Sequence, residues 1–285
     1  MSVRTAFRPV RPVRKSAALL GAAAAVAALT LTTTTPANAA KHTHGPSQKK
    51  PTVVLVHGAF VDSSSWNGVI ERLQRDGYPV VAAANPLRGL ANDAAYVRSF
   101  LKSVDGPIVL AGHSYGGSVI SDAAAGDPDV KALVYIAAFA PEKGETPAEL
   151  GEKFPGAALP SALNAVPFPL PGGGTGTDLF IKADKFHDVF AADVPRSVTD
   201  LAAATQRPVA ESVFGEKPTK AAWKTIPSWN LIATEDRAIT PDAQRFMADR
   251  ADSHTVEVKA SHAVTVSKPG AVTRLIEQAA RATAH

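Results

Sequence analysis

The chain has no cysteine among its 285 residues. That one absence removes disulfides, thiolate zinc sites and cysteine nucleophiles together. Acidic residues are missing from the first 39 positions, which hold five of the 30 Lys+Arg (Arg4, Arg8, Arg11, Arg14 and Lys15) and none of the 26 Asp+Glu. The rest of the chain therefore sets 25 basic against 26 acidic side chains, a net −1, although the whole is formally +4. The positive excess belongs to the N-terminal segment, so nothing favours a nucleic-acid or anionic-surface partner. No internal repeat is present. No adjacent pair of arginines occurs in the N-terminal segment either, which argues against twin-arginine export.

What that segment does contain is ordered by chemistry. The basic residues precede an Ala/Leu/Val run from about Ala17 to Leu31, and Ala37-Asn38-Ala39 follows. A basic start, a short apolar centre and a small-residue site predict a secretory signal peptide over 1–39, cleaved after Ala39. An uncleaved membrane anchor is the competing reading, and the well-formed small-residue site favours cleavage. The expected mature protein is secreted and keeps no stable membrane anchor. Residues 40–50 are polar and aperiodic, as a disordered tether is. At 45% hydrophobic and 20% charged residues the composition is that of a globular protein. A mature chain of about 246 residues can bury roughly 70–75% of its unfolded surface, enough for a core without disulfides.

From Pro51 onward, strand and helix signals alternate. Strands are expected at Thr52–His57, Tyr78–Ala83, Pro107–Ala111, Lys131–Ala137, Ser228–Ala233 and Thr255–Lys259. Helices are expected near Ser65–Asp76, Asp93–Ser103, after Ser114 to about Ala125, at Asp242–Arg250 behind Thr240-Pro241, and at Gly270–Ala282. The strands are short and almost uniformly apolar, the pattern of parallel strands covered on both faces. The fold class is thus α/β, an open doubly wound, mainly parallel sheet of about six strands. Between about Pro141 and Ile226 the alternation stops, proline is frequent and Gly172-Gly173-Gly174 interrupts. An insertion this long reads as a functional element, a helical lid with helices near Thr146–Lys153, Asp184–Ala191 and Arg196–Gln206. Phe154, Phe168, Phe180, Phe186, Phe190 and Phe214 are its candidates to line a substrate pocket, or else to form the lid's own core.

Gly112-His113-Ser114-Tyr115-Gly116-Gly117 follows a strand and opens a helix. A lone Gly-x-Ser-x-Gly can be an incidental turn, but strand before and helix after are what a nucleophile elbow needs. Such a serine requires a base and a carboxylate to orient it, expected in the chain order Ser, acid, His. His262 lies after the last strand and before the last helix, and is the candidate base. Asp236, in the loop after Ser228–Ala233, is the first candidate acid; neighbouring Glu235 and helix-start Asp242 are the alternatives. The oxyanion needs two backbone donors: Tyr115 N–H supplies one, and Ala59, with Phe60 in reserve, the other from the loop His57-Gly58-Ala59-Phe60. This chemistry calls for no metal and no cofactor.

Val54-Leu55-Val56-His57-Gly58, Gly112-His113-Ser114-Tyr115-Gly116-Gly117, Thr234-Glu235-Asp236-Arg237-Ala238-Ile239 and Ser261-His262 together resemble the α/β-hydrolase superfamily, over the segment from Pro51 to the C-terminus. The direct start at the first strand resembles a compact subgroup of plant-type methylesterases, hydroxynitrile lyases and bacterial esterase-like homologues. The lyases carry a threonine after the strand-end histidine and a lysine just after the catalytic histidine. Here those places hold Gly58 and Ala263-Val264-Thr265-Val266, which turns the expectation away from cyanohydrin cleavage. A serine rather than an aspartate at the elbow likewise turns it away from dehalogenation and epoxide opening. The resemblance implies a serine hydrolase of small-molecule carboxylic esters. Lyase-like or perhydrolase chemistry at the same site, or a non-catalytic binding protein on the same fold, are the alternatives.

Overall fold

The computed structural model describes residues 49–283. The expected signal peptide, and all but the last two residues of the tether expected over 40–50, lie outside the described residues. Among the described residues no helix is long and apolar enough to cross a membrane.

Among the described residues, nine strands and nine α-helices follow one another from Thr52. The strands are β1 (Thr52–Val56), β2 (Val80–Ala83), β3 (Ile108–His113), β4 (Val130–Ile136), β5 (Leu163–Pro169), β6 (Thr175–Ile181), β7 (Val209–Ala210), β8 (Ser228–Ala233) and β9 (His254–Val258). The helices are α1 (Asn67–Arg75), α2 (Leu90–Leu101), α3 (Tyr115–Ala123), α4 (Pro147–Lys153), α5 (Ala183–Phe190), α6 (Arg196–Thr205), α7 (Pro241–Arg250), α8 (Val264–Ser267) and α9 (Pro269–Ala282). Six strands make one wholly parallel sheet in the order β2-β1-β3-β4-β8-β9. The order reverses direction between β1 and β3. A doubly wound sheet places its ligand crevice at such a point, beyond the carboxyl ends of the strands.

The uniform apolarity of the strands is explained by what covers them. Successive residues of a strand face opposite layers. Val53, Leu55, Val109, Ala111 and Val134 pack with α1 and α9 on one side, through Leu73, Val272 and Ile276. Val54, Val56, Leu110, Leu133 and Tyr135 pack on the other side with α2, α3 and α7, through Val97, Ile120 and Met247. In the four central strands β1, β3, β4 and β8 both faces are buried and need almost no polar residues, whereas edge strand β2 is partly exposed and edge strand β9, with His254, Thr255 and Glu257, mostly so.

The insertion spans 137–227, between β4 and β8. It is not purely helical: β5, β6 and β7 form a three-stranded antiparallel sheet beside α4, α5 and α6. The prolines that make this stretch look strandless, Pro167 and Pro169, lie on β5 at the edge of that sheet. An edge strand has backbone N–H groups that need no ladder partner, and proline is tolerated there. Gly173 and Gly174 take left-handed φ values of 88° and 87° and turn the chain between β5 and β6. The glycine run is therefore a hairpin turn rather than an interruption. Helix α8, between β9 and α9, was also not expected.

Candidate active site

The sharp turn from β3 into α3 holds Ser114 at φ 56° and ψ −127°, a conformation a residue with a Cβ adopts only under constraint. The constraint is close packing of the flanking glycines. A Cβ on Gly112 would come within 2.6 Å of the Gly116 carbonyl oxygen, and one on Gly116 within 2.6 Å of the Val56 carbonyl oxygen. The serine is thus presented at the tip of the strand, above the N-terminus of α3.

Ser114 Oγ lies 2.8 Å from His262 Nε2, and His262 Nδ1 lies 2.6 Å from Asp236 Oδ2. All three side chains are buried. They come from the ends of β3, β8 and β9, so three adjacent or near-adjacent strands deliver them to one edge of the sheet. The carboxylate is fixed by four donors. Ala238 and Ile239 donate their backbone N–H groups to Oδ1, while Gln244 Nε2 and His262 Nδ1–H donate to Oδ2. The two alternatives face elsewhere: Glu235 pairs with Lys259 at 3.5 Å, and Asp242 with Arg245 at 2.9 Å.

Gln244 had no sequence signal beyond lying on α7. It is fully buried, donates to Asp236 and to the Ile239 carbonyl, and accepts from Ala233 N–H. His113 is a second contributor of this kind. Its Nε2–H donates to the backbone carbonyl of His262 at 2.9 Å, and its ring lies 4.9 Å from that of His262. Burial, reinforced by repulsion from His262 and His57, pushes the His113 pKa down to about 3. It therefore stays neutral beside the His262 ring.

The expected oxyanion loop runs hard against the serine. A Cβ on Gly58 would meet Ser114 Cβ at 2.6 Å and Oγ at 3.2 Å. This backbone has no room for the threonine that the lyases carry there. Ala59, Phe60 and Tyr115 line a cavity with Ser114 and His262. No backbone hydrogen bond among the described residues takes up the N–H of Ala59, Phe60 or Tyr115. The Tyr115 phenol donates to buried Asp93 at 2.9 Å, which anchors the first residue of α3.

That cavity measures about 530 Å³ and is walled mainly by apolar groups, which suits a compact uncharged organic molecule. Of the six lid phenylalanines only Phe190 and Phe214 line it. Phe154 packs on Phe246, Phe168 lies under the Arg88 guanidinium and Phe186 stacks on Phe190 behind the wall; Phe180 is half-buried outside it. Phe60 and Phe139, from the loops after β1 and β4, are the aromatic wall residues that lid position did not suggest. Among the described residues no group of three or more His, Asp or Glu is disposed to hold a metal ion. What the arrangement can do chemically is move a proton from Ser114 Oγ to His262 Nε2 while Asp236 steadies the charge that results.

The chain is 29% identical over 252 residues to the alpha/beta hydrolase nvfD of Aspergillus novofumigatus, a match that covers 81% of this chain and 97% of that one. It is 24% identical over 220 residues to methylesterase 2 of Arabidopsis thaliana, covering 70% and 84% respectively. The expected kinship with plant methylesterases therefore holds. Among solved structures, polyneuridine aldehyde esterase superposes with a TM-score of 0.70 at 18% identity, over 80% of this chain and 98% of that one. The family model described as "Alpha/beta hydrolase family" matches residues 53–275, and the chain belongs to that family.

Proposed function

We propose that the protein is a secreted serine hydrolase of small-molecule carboxylic esters. The observation that carries the reading is the unbroken hydrogen-bonded line from Ser114 Oγ through His262 to Asp236, at 2.8 and 2.6 Å, opening on an apolar cavity. Ser114 attacks the ester carbonyl as His262 Nε2 takes its proton. The Ala59 and Tyr115 amides receive the oxyanion, a contribution of roughly 3–4 kcal/mol for each donor. His262 returns the proton to the leaving alcohol. It then takes one from the water that attacks the acyl-enzyme and hands it to Ser114 Oγ as the C–Oγ bond breaks and the acid departs. Asp236 holds the imidazole in the tautomer with Nδ1 protonated throughout.

Kinship with esterases supports the bond class, and the crowding at Gly58, with no lysine after His262, weighs against cyanohydrin cleavage. Export rests on the composition of residues 1–39. The test is S114A. Its hydrolysis of p-nitrophenyl butyrate should fall to background, and a fluorophosphonate probe should label the wild type but not the variant. Wild-type hydrolysis by S114A would end the proposal. A wild type that binds esters but neither turns over nor labels would point to a binding protein on this fold.

A further inference from the structure

The loop that carries His262 is held at three successive residues, and two of the three holds come from the lid. Ala263 N–H donates to the carbonyl of Phe190, at the end of α5, at 2.9 Å. The His262 carbonyl accepts from His113 on the elbow side. Ser261 Oγ donates to Asp193 Oδ1, on the turn that follows α5. Phe190 adds its ring, which meets His262 edge-on with 4.8 Å between centroids and also lines the cavity. Asp193 does not line the cavity, and among the described residues its only hydrogen bond is the one to Ser261. Its other oxygen, Oδ2, is buried without a partner. A carboxylate in that position costs stability. Its single bond goes to the residue next to the base.

We propose that Asp193 is a positioning residue for the reaction: through Ser261 it holds the His262 loop so that Nε2 stays in line with Ser114 Oγ. The placement of the base is thereby tied to the placement of the lid. The inference rests on the Ser114–His262–Asp236 reading above. Its physical content is that a base displaced by about 1 Å can lose up to 10²-fold in rate. A residue acting only on that placement, outside the cavity, changes kcat and leaves substrate binding alone.

The test compares D193A, S261A, the double variant and D193N in hydrolysis of p-nitrophenyl butyrate and in the rate of fluorophosphonate labelling, with Tm measured alongside. D193A and S261A should each lower kcat and the labelling rate about tenfold, with KM within about twofold of the wild type. The double variant should be no slower than S261A alone, which removes the contact to Asp193 together with the longer one that Ser261 Oγ accepts from Ala263 N–H at 3.3 Å. D193N keeps an amide oxygen to accept from Ser261 and should recover most of the rate. An Asp193 that merely stabilises the lid would lower Tm and leave kcat of the folded protein unchanged; that result overturns the proposal. Additive losses, or a raised KM at unchanged kcat, overturn it too. Should D193A fail to fold, S261A and D193N decide by the same criteria. A wild type with no Ser114-dependent turnover or labelling defeats the hydrolase reading and this inference with it. An active wild type with D193A equally active defeats this inference alone.

Discussion

Replacing Asp236 by asparagine isolates what the carboxylate does, because the surrounding donors dictate how the new amide must sit. The Oδ1 position faces two backbone N–H groups, from Ala238 at 2.7 Å and Ile239 at 3.0 Å, that cannot turn away. The amide oxygen must take that place and the NH2 must take the place of Oδ2, against His262 Nδ1. There it donates, so the imidazole is forced to carry its proton on Nε2. The nitrogen that should accept from Ser114 then points a hydrogen at it. The same NH2 meets a second donor in Gln244 Nε2, and Gln244 cannot flip to relieve that clash, since its own oxygen accepts from Ala233 N–H and its nitrogen donates to the Ile239 carbonyl. The wrong tautomer removes the base while keeping the geometry, and a loss of about 10⁴-fold in kcat is expected, roughly 5.5 kcal/mol of barrier. Folding loses less: charge-assisted bonds become neutral, at about 1–3 kcal/mol against a total stability of roughly 5–15. The assay is kcat for p-nitrophenyl butyrate with Tm measured in parallel. E235Q and D242N serve as controls, whose partners Lys259 and Arg245 lie outside the site. A folded D236N with kcat within about tenfold of the wild type would refute the reasoning.

Two further predictions follow from groups already described. His113 has its pKa depressed from 6.5 to about 3, so in the window between those values the unfolded chain binds a proton that the folded chain refuses. The stability this group contributes is complete above about pH 6.5 and is lost as pH falls towards 3, with a slope of at most about 1.4 kcal/mol per pH unit. Urea melts across that range should show the fall, and H113Q should flatten it; an equal slope in both proteins would exclude His113 as the source. The signal-peptide reading predicts a product that begins at Ala40, which mass spectrometry of culture supernatant can read directly. An intact N-terminus on a membrane-bound product would contradict the signal-peptide reading.

The parallel sheet and the three converging side chains were legible because each depends on local pattern. Buried strands are apolar throughout, the elbow needs glycines on both sides of Ser114, and Asp236 and His262 follow strand ends in the required order. The lid sheet was hidden because Pro167, Pro169 and the glycine run oppose strand formation everywhere except at an edge and a hairpin turn, and only tertiary pairing reveals which positions those are. The phenylalanines misled for a related reason. Sequence marks them as apolar but cannot say which way they face, so Phe154 and Phe186 serve packing while Phe60 and Phe139 reach the cavity from the sheet loops. Gln244 and Asp193 left no trace at all. Their roles lie in what stands across from them, Asp236 and Ser261, eight and 68 residues away along the chain.

The division of labour between the strand ends and the 137–227 insertion has a consequence for redesign. The groups proposed to break the bond sit on the scaffold while much of the cavity wall sits on the insertion, which suggests that a lid could be grafted from a relative to change substrate choice alone. The contacts from Phe190 and Asp193 to the 261–263 loop spoil that modularity. A foreign lid would have to bring its own acceptors for Ala263 N–H and for the Ser261 hydroxyl, or the transplanted enzyme would recognise its new substrate and turn it over slowly.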